Sequence, residues 1–304
     1  MIIPPDRLGR RLAKDRLGVN IMAGATLLVF LAFLSFVVLL IVKSRLIVFR
    51  YSLPELLLSS RWDPVNHTFG FFPSILGTFI VTLLSMAIAI PVSLLTAIYI
   101  SEYLPKRTGK YLSSFIDVLA GIPSVVFGLC MLLVFVPLVA ELAQRWFGIE
   151  TTGMCILTAA ITLSIMVFPI IVSLAVESLQ ALPREMRETS LSLGSTRWQM
   201  VKKVLLKGAG PGIISAILLG FGRALGETMA VAMVIGSRNT LPDSLFSAGQ
   251  TLPSLIVSSF GEMMSVPEDQ SALVFVALVL FLLVTVTNVS AKTVNNRLRK
   301  KWRY

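Results

Sequence analysis

The chain has 304 residues, 55% of them hydrophobic and only 14% charged. An ordinary soluble domain carries about 25% charged residues, so lipid rather than water solvates most of this surface. Two cysteines and one histidine, His67, are too few for a disulfide framework, a metal cage or His-based nucleophile chemistry.

Six stretches are apolar over the roughly 20 residues that a membrane-spanning helix needs: residues 20–42, 74–100, 112–142, 154–174, 212–236 and 271–291. The third is long enough to be interrupted, and Gly121-Ile122-Pro123-Ser124 is where the interruption is expected. Six spans place both termini on one side. With the N-terminus inside, the inner segments hold twenty Lys and Arg and the outer segments six, so positive residues assign the inner side to the cytoplasm. That asymmetry accounts for the net charge of +11 without nucleic acid, whose recognition needs the cations on one face. The first apolar run exceeds the 7–15 residues of a signal-peptide core and reads as an anchored helix. The organisation is a cytoplasmic tail at 1–19, a spanning domain at 20–291 and a basic cytoplasmic tail at 292–304.

Between the first two spans, Trp62-Asp63-Pro64 leads to Phe69-Gly70-Phe71-Phe72, an aromatic cluster that suits an interfacial anchor or contact with an external partner. Residues 252–260 are apolar but too short to span, which leaves an interfacial or a re-entrant segment. The inner connection, 181–210, reads as two short helices around a glycine. Pro183 suits a first turn. Gly194 interrupts the pattern, and Ser195 or Thr196 can cap a second helix carrying Trp198.

Arg223 lies twelve residues into the fifth span, roughly 18 Å from its inner end. Such a charge costs about 3 kcal/mol on insertion scales, so it needs a partner or a wet cavity. Glu227 is four residues on, one turn above, and faces the same side. A guanidinium fork fits phosphate oxygens, with Glu227 moderating the charge; a neutral pair joining helices is the competing reading. Gly222 and Gly226 form a small-residue stripe that suits helix packing. Pro123 removes one backbone donor, and a helix restarting at Ser124 would aim amides and a hydroxyl into the membrane; a simple proline kink satisfies the same residues. Asp117, one turn earlier, has no partner that the sequence identifies. No Gly-x-x-x-x-Gly-Lys-Ser/Thr occurs, so no phosphate-cradling nucleotide loop is present.

Glu188-Thr189-Ser190, then Gly194, then Val204-Leu205-Leu206 resembles the cytoplasmic EAA loop of bacterial ABC importer permeases. Thr189 and Ser190 stand where alanines are usual, and Lys207 where proline is. Gly222-Arg223-Ala224-Leu225-Gly226-Glu227-Thr228-Met229-Ala230 is similar to the fifth span of phosphate-specific ABC permeases. The stretches around Trp62 and around Gly121 are similar to the C-type subunit of that transporter.

The resemblance implies an all-α, six-span permease in a bacterial or archaeal cytoplasmic membrane, with no cofactor of its own. Inorganic phosphate would pass by Arg223, Glu227, Thr228 and Ser124. Glu188, Thr189, Ser190, Gly194 and Trp198 would dock on a separate ATPase dimer that holds ATP and Mg. A second permease and an extracytoplasmic phosphate-binding protein complete the implied assembly. An A-type partner permease, or a carrier of sulfate or molybdate, is the nearest alternative. A membrane enzyme acting on lipid phosphates is the alternative from another class, and it requires a second catalytic group at the depth of Arg223.

Overall fold

A computed structural model of the chain describes residues 5–64 and 66–301. The tips of the two basic tails, 1–4 and 302–304, and Val65 lie outside the described residues. Helix α1 (Pro5–Arg50) is followed by a short α2 (Leu53–Leu58) and a two-residue antiparallel hairpin, β1 (Trp62–Asp63) with β2 (Thr68–Phe69). Next come α3 (Phe72–Ile98), ending in a π-helical turn at Tyr99–Tyr103, then α4 (Lys106–Ala120) and α5 (Ser124–Cys130). A second π-helical turn, Met131–Phe135, joins α5 to α6 (Val136–Phe147), and α7 (Ile156–Gln180) closes the first half.

The inner connection forms α8 (Arg184–Ser192), α9 (Arg197–Met200), a π-helical turn Val201–Leu205 and α10 (Leu206–Gly208). After it come α11 (Gly210–Leu225), α12 (Met229–Ala232), α13 (Leu252–Met263) and α14 (Pro267–Lys301). The helices run through both stretches read as tails, since α1 starts at Pro5 and α14 continues to Lys301.

Among the described residues, five helical stretches are long and apolar enough to cross a membrane: Asp15–Arg50, Phe72–Tyr103, Ser124–Phe147, Ile156–Gln180 and Pro267–Thr293. Arg197–Gly208 and Gly210–Leu225 are together apolar enough for a sixth, but they bend by 72°, the shape of a broken span or a re-entrant loop. Pro91 and Pro169 sit inside α3 and α7 without ending either helix, as membrane helices tolerate when neighbours cover the freed carbonyl.

The third sequence-predicted span divides where expected. The Gly121 and Ile122 amides close the end of α4 on the Val118 and Leu119 carbonyls. Pro123 then takes an extended ψ of 138°, incompatible with helix. Only the second piece spans. α4, with its 15 residues, is too short to do so and packs on α7, where Ile116 enters the inner core. Asp117 finds its partner there, accepting a 2.7 Å hydrogen bond from the Ser173 hydroxyl of α7.

The most densely packed pair is α3 with α7, which build the centre of the bundle, while α1 lies outside it along α14 and leaves nearly all its apolar surface for lipid. One core joins the middle of α3 and α7 to the turn Met131–Phe135, α6, α11 and α12; a second gathers the inner ends of α3, α4, α7 and α11 around Val201 and Leu205.

A third core is external, and it corrects the expectation of an aromatic interfacial anchor. Phe69 and Phe71 are buried, and Phe71 packs at 5.8 Å from Phe275 and 5.6 Å from Trp62. The hairpin turns these rings inward, where they gain more from burial than an interface offers. Over them sits a polar clasp. Arg50 pairs with Glu268, and the Tyr51 hydroxyl stands 2.6 Å from the His67 carbonyl and 3.1 Å from Glu268 Oε1. Burial first, and then the hydrogen bond to Glu268, push the Tyr51 phenol above its usual pKa.

Residues 252–260 belong to α13. Its capping box pairs Thr251 with Ser254, and Leu252 to Leu255 are almost wholly buried. The first turn is therefore inserted into the bundle and does not lie on an interface.

Candidate functional site

The inner connection folds as two helices around Gly194, as its sequence predicts. Gly194 has φ +81°, a left-handed conformation that glycine adopts at little cost. Ser195 closes the turn by donating to the Ser190 carbonyl at 2.6 Å, and its hydroxyl lies 2.8 Å from that of Ser190. Thr196, not Ser195, caps the second helix: its hydroxyl accepts from the Gln199 amide and the Gln199 side chain accepts from its own amide. These reciprocal bonds satisfy two orphan donors and stiffen the unit.

Glu188, Thr189, Gly194 and Trp198 are exposed on it and Ser190 is buried. Leu193 is 83% exposed, beside a groove lined by Glu185, Met186, Thr189, Ser190 and Val204. This is a compact, preformed face with an apolar point.

The fifth span departs from the sequence reading. Arg223 and Glu227 do not sit one turn apart on a continuous helix, because α11 ends at Leu225 and Gly226 adopts φ −95°, ψ 0°. The chain then passes through Glu227 and Thr228 before α12 starts. Three residues explain the break. Gly226 is the weakest helix former present. The Thr228 hydroxyl donates to the Gly226 carbonyl at 3.1 Å, and Glu227 Oε1 accepts from the Ala230 amide at 3.3 Å. Side chains thus replace the backbone partners that lipid cannot supply.

The small-residue stripe is broken with it. Gly222 allows α14 to approach, since a Cβ there would lie 3.0 Å from Asn288 Oδ1, whereas Gly226 faces only the last turn of α11.

Arg223 occupies the last turn of α11, where the helix dipole favours a cation. Its side chain is exposed, and among the described residues it makes neither an ion pair nor a hydrogen bond. Glu227 is half-buried and, with Thr78, Thr82 and Thr251, lines a small gap between α3, α7, α12 and the start of α13. Close by, α5 carries Ser124 in its first turn and packs on α12, with Gly128 so near that a Cβ would lie 2.9 Å from Ala230 Cα.

The structure therefore gathers the helix break, Glu227 and Thr228 in one region with α5 packed beside it. It separates Arg223 from Glu227 as partners and gives Glu227 and Thr228 capping duties that spacing could not reveal. An intramembrane guanidinium without an internal partner faces water or another chain. What it can do chemically is bind an anion by charge and paired N–H groups.

Residues 89–300 match the family described as binding-protein-dependent transport system inner membrane component. The chain belongs to this family. It is a multi-pass membrane component of a transport system. Among curated relatives, a probable ABC transporter permease protein of Bacillus subtilis, YqgH, is 41% identical over 209 residues, covering 68% of this chain and 66% of that one. The phosphate transport system permease protein PstC of Pasteurella multocida is 36% identical over 254 residues, 79% of each chain. A solved bacterial alginate ABC transporter contains a chain that superposes with TM-score 0.65 over 95% of this chain and 98% of that one, at 16% identity, so it shares the permease fold.

Sequence reasoning missed a buried ion pair at the inner surface. Arg187 of α8 meets Glu102 with Nη2–Oε1 at 2.8 Å, Nε–Oε2 at 3.1 Å and Nε–Oε1 at 3.3 Å. Eighty-five positions separate the two residues. The signal available was Glu102 itself, an acid placed directly after an apolar span.

Proposed function

We propose that the chain is the C-type permease subunit of an ATP-driven importer that carries inorganic phosphate across a bacterial or archaeal cytoplasmic membrane. Four similar chains, from Pasteurella, Haemophilus and two strains of Xylella, bear the name PstC at 32–36% identity over most of this one. The observation that carries the reading is Arg223, a guanidinium inside an apolar stretch with no partner among the described residues, at a broken helix beside Glu227 and Thr228.

In this reading a binding protein delivers phosphate from outside. A second permease, packed against the exposed face of this one, completes the path. Glu188, Thr189, Gly194 and Trp198 present the docking face to one subunit of an ATPase dimer, which holds ATP and Mg; Ser190, expected on that face, is buried and instead ties the turn to Ser195. Closure of that dimer displaces α8 and α9, and the 72° elbow between Arg197–Gly208 and Gly210–Leu225 turns that displacement into a tilt of α11. Arg223 travels with α11 and is offered to the outer and inner openings in turn. Ser124 supplies a hydroxyl at the restarted helix of α5.

The test is phosphate uptake by the assembled importer in proteoliposomes. Arg223→Gln lowers uptake by about two orders of magnitude while the ATPase subunit still co-purifies. Undiminished uptake would remove Arg223 from the path. Competition of labelled phosphate uptake by sulfate and molybdate checks the anion; the reading predicts that neither competes.

A further inference from the structure

The docking face occupies only one side of α8. The other side carries Arg187, whose side chain is 20% exposed, against Glu102, 5% exposed, in the π-helical turn that ends α3. Four of the five guanidinium N–H groups are engaged. Besides the two-pronged contact with Glu102, Nη1 donates to the Leu182 carbonyl at 3.0 Å and Nη2 to the Leu179 carbonyl at 2.8 Å. Leu179 lies in the last turn of α7 and Leu182 in the turn that follows it, where carbonyls have no helical amide four residues on. Glu102 is held in turn by the Ser101 hydroxyl, which donates to Oε1 at 2.8 Å.

One side chain on α8 is thus fixed to α3 and to α7, the two helices at the centre of the bundle. The apolar core of Ala97, Ile100, Leu179, Val201 and Leu205 lies beside it. Poor solvation there makes the pair rigid, and loss of either partner costly.

A helix that merely covered the bundle would need only apolar contacts. Those contacts slide, as ridges shift in grooves, whereas a forked guanidinium with four acceptor oxygens fixes both position and direction. Apolar packing without this joint would let α8 move under load while α3 and α7 stayed in place.

We propose that Arg187 is a positioning residue for energy coupling: through Glu102 and the Leu179 and Leu182 carbonyls it locks the docking helix α8 to α3 and α7, so that displacement of α8 moves the central pair together with α11. This rests on the reading of residues 181–210 as the docking face for an ATPase.

The experiment uses the complete importer, with both permeases, the ATPase dimer and the binding protein, in proteoliposomes. ATP hydrolysis and phosphate uptake are measured together. Arg187→Ala retains ATPase co-purification and ATP hydrolysis but lowers phosphate moved per ATP by about tenfold, as expected when a charged, buried contact is lost. Arg187→Lys keeps the charge and loses the fork, and recovers the ratio to within about threefold of wild type. Glu102→Gln keeps an acceptor without the charge and behaves like the lysine variant.

An unchanged ratio of phosphate to ATP in Arg187→Ala overturns the inference. So does a loss of ATPase co-purification in the alanine and lysine variants alike, which would make the pair purely structural. Failure of the underlying reading looks different: the wild-type chain itself would then retain no ATPase subunit, or would retain it undiminished after Trp198→Ala with Leu193→Ala.

Discussion

Arg187 and Arg223 are the same side chain put to opposite uses. Arg187 sits at the inner surface, where water is near, and is almost consumed by its own chain, with a carboxylate and two carbonyls around it. Arg223 lies inside a span, where a charge is most expensive, and is left exposed and unpaired among the described residues. Were internal stability the only influence, the pairing would be reversed. The deeper cation, with more to gain from a partner, would have been given one. The contrast teaches that an ionic group's bonding inventory is more informative than its depth: a guanidinium bound up in its own chain transmits force, and an open one receives a ligand.

Several substitutions break or sharpen this contrast. The largest effect belongs to Arg223→Gln. Losing a forked, charge-assisted contact to an anion costs about 3 kcal/mol, so phosphate uptake falls by about two orders of magnitude. Thermal unfolding of the purified subunit is unchanged, because no intramolecular bond is lost. Glu102→Ala should do the reverse. It strands the Arg187 charge in the inner core and lowers the stability of the detergent-solubilised chain by about 3 kcal/mol, seen as an earlier thermal transition. A stable Glu102→Ala together with an unstable Arg223→Gln would invert the whole comparison.

Glu227→Gln tests the region between these extremes. Glutamine still offers an oxygen to the Ala230 amide, so the helix break survives and the melting transition stays within a few degrees, as about 1 kcal/mol or less would give. Uptake nevertheless slows by about tenfold, the effect of removing one charge beside a travelling anion. At the outer clasp, Tyr51→Phe removes a hydroxyl shared between His67 and Glu268. It costs about 1 kcal/mol and leaves uptake intact. Gly194→Ala is the smallest change. A Cβ there meets open space, so only the positive φ is penalised, by about 1 kcal/mol, and hydrolysis and uptake decline in step.

The two arginines also show what was legible in the sequence. Arg223 announces itself, as a lone cation in 25 apolar-rich positions, and the spans follow from hydropathy because lipid imposes one rule on every backbone group. The interruption at Gly121-Ile122-Pro123 was readable for the same reason, since proline forbids the helix explicitly. The break at Gly226 was harder. Glycine is tolerated in membrane helices, and only the hydroxyl of Thr228 and the carboxylate of Glu227 tip the balance toward two capped ends. The spacing of Glu227, four residues from Arg223, pointed instead to a helical pair.

The Arg187–Glu102 contact was beyond reach because periodicity describes single helices, and this pair joins the end of one to the side of another. The burial of Phe69 and Phe71 was hidden likewise. An aromatic run beside a span reads as interfacial until the hairpin that folds it inward is known. Asp117 gained meaning only when α4 was seen to lie on α7.

The central claim is that Arg223 stands open to the anion's path, and its accessibility tests this most directly. With Cys130, the exposed native thiol, replaced by serine, Arg223→Cys in the assembled importer is treated with a small cationic thiosulfonate reagent. The account predicts that the thiol is labelled, that saturating phosphate with the binding protein slows labelling, and that the attached ammonium restores part of the lost uptake. A thiol that stays unreactive in both resting and ATP-driven states would contradict it.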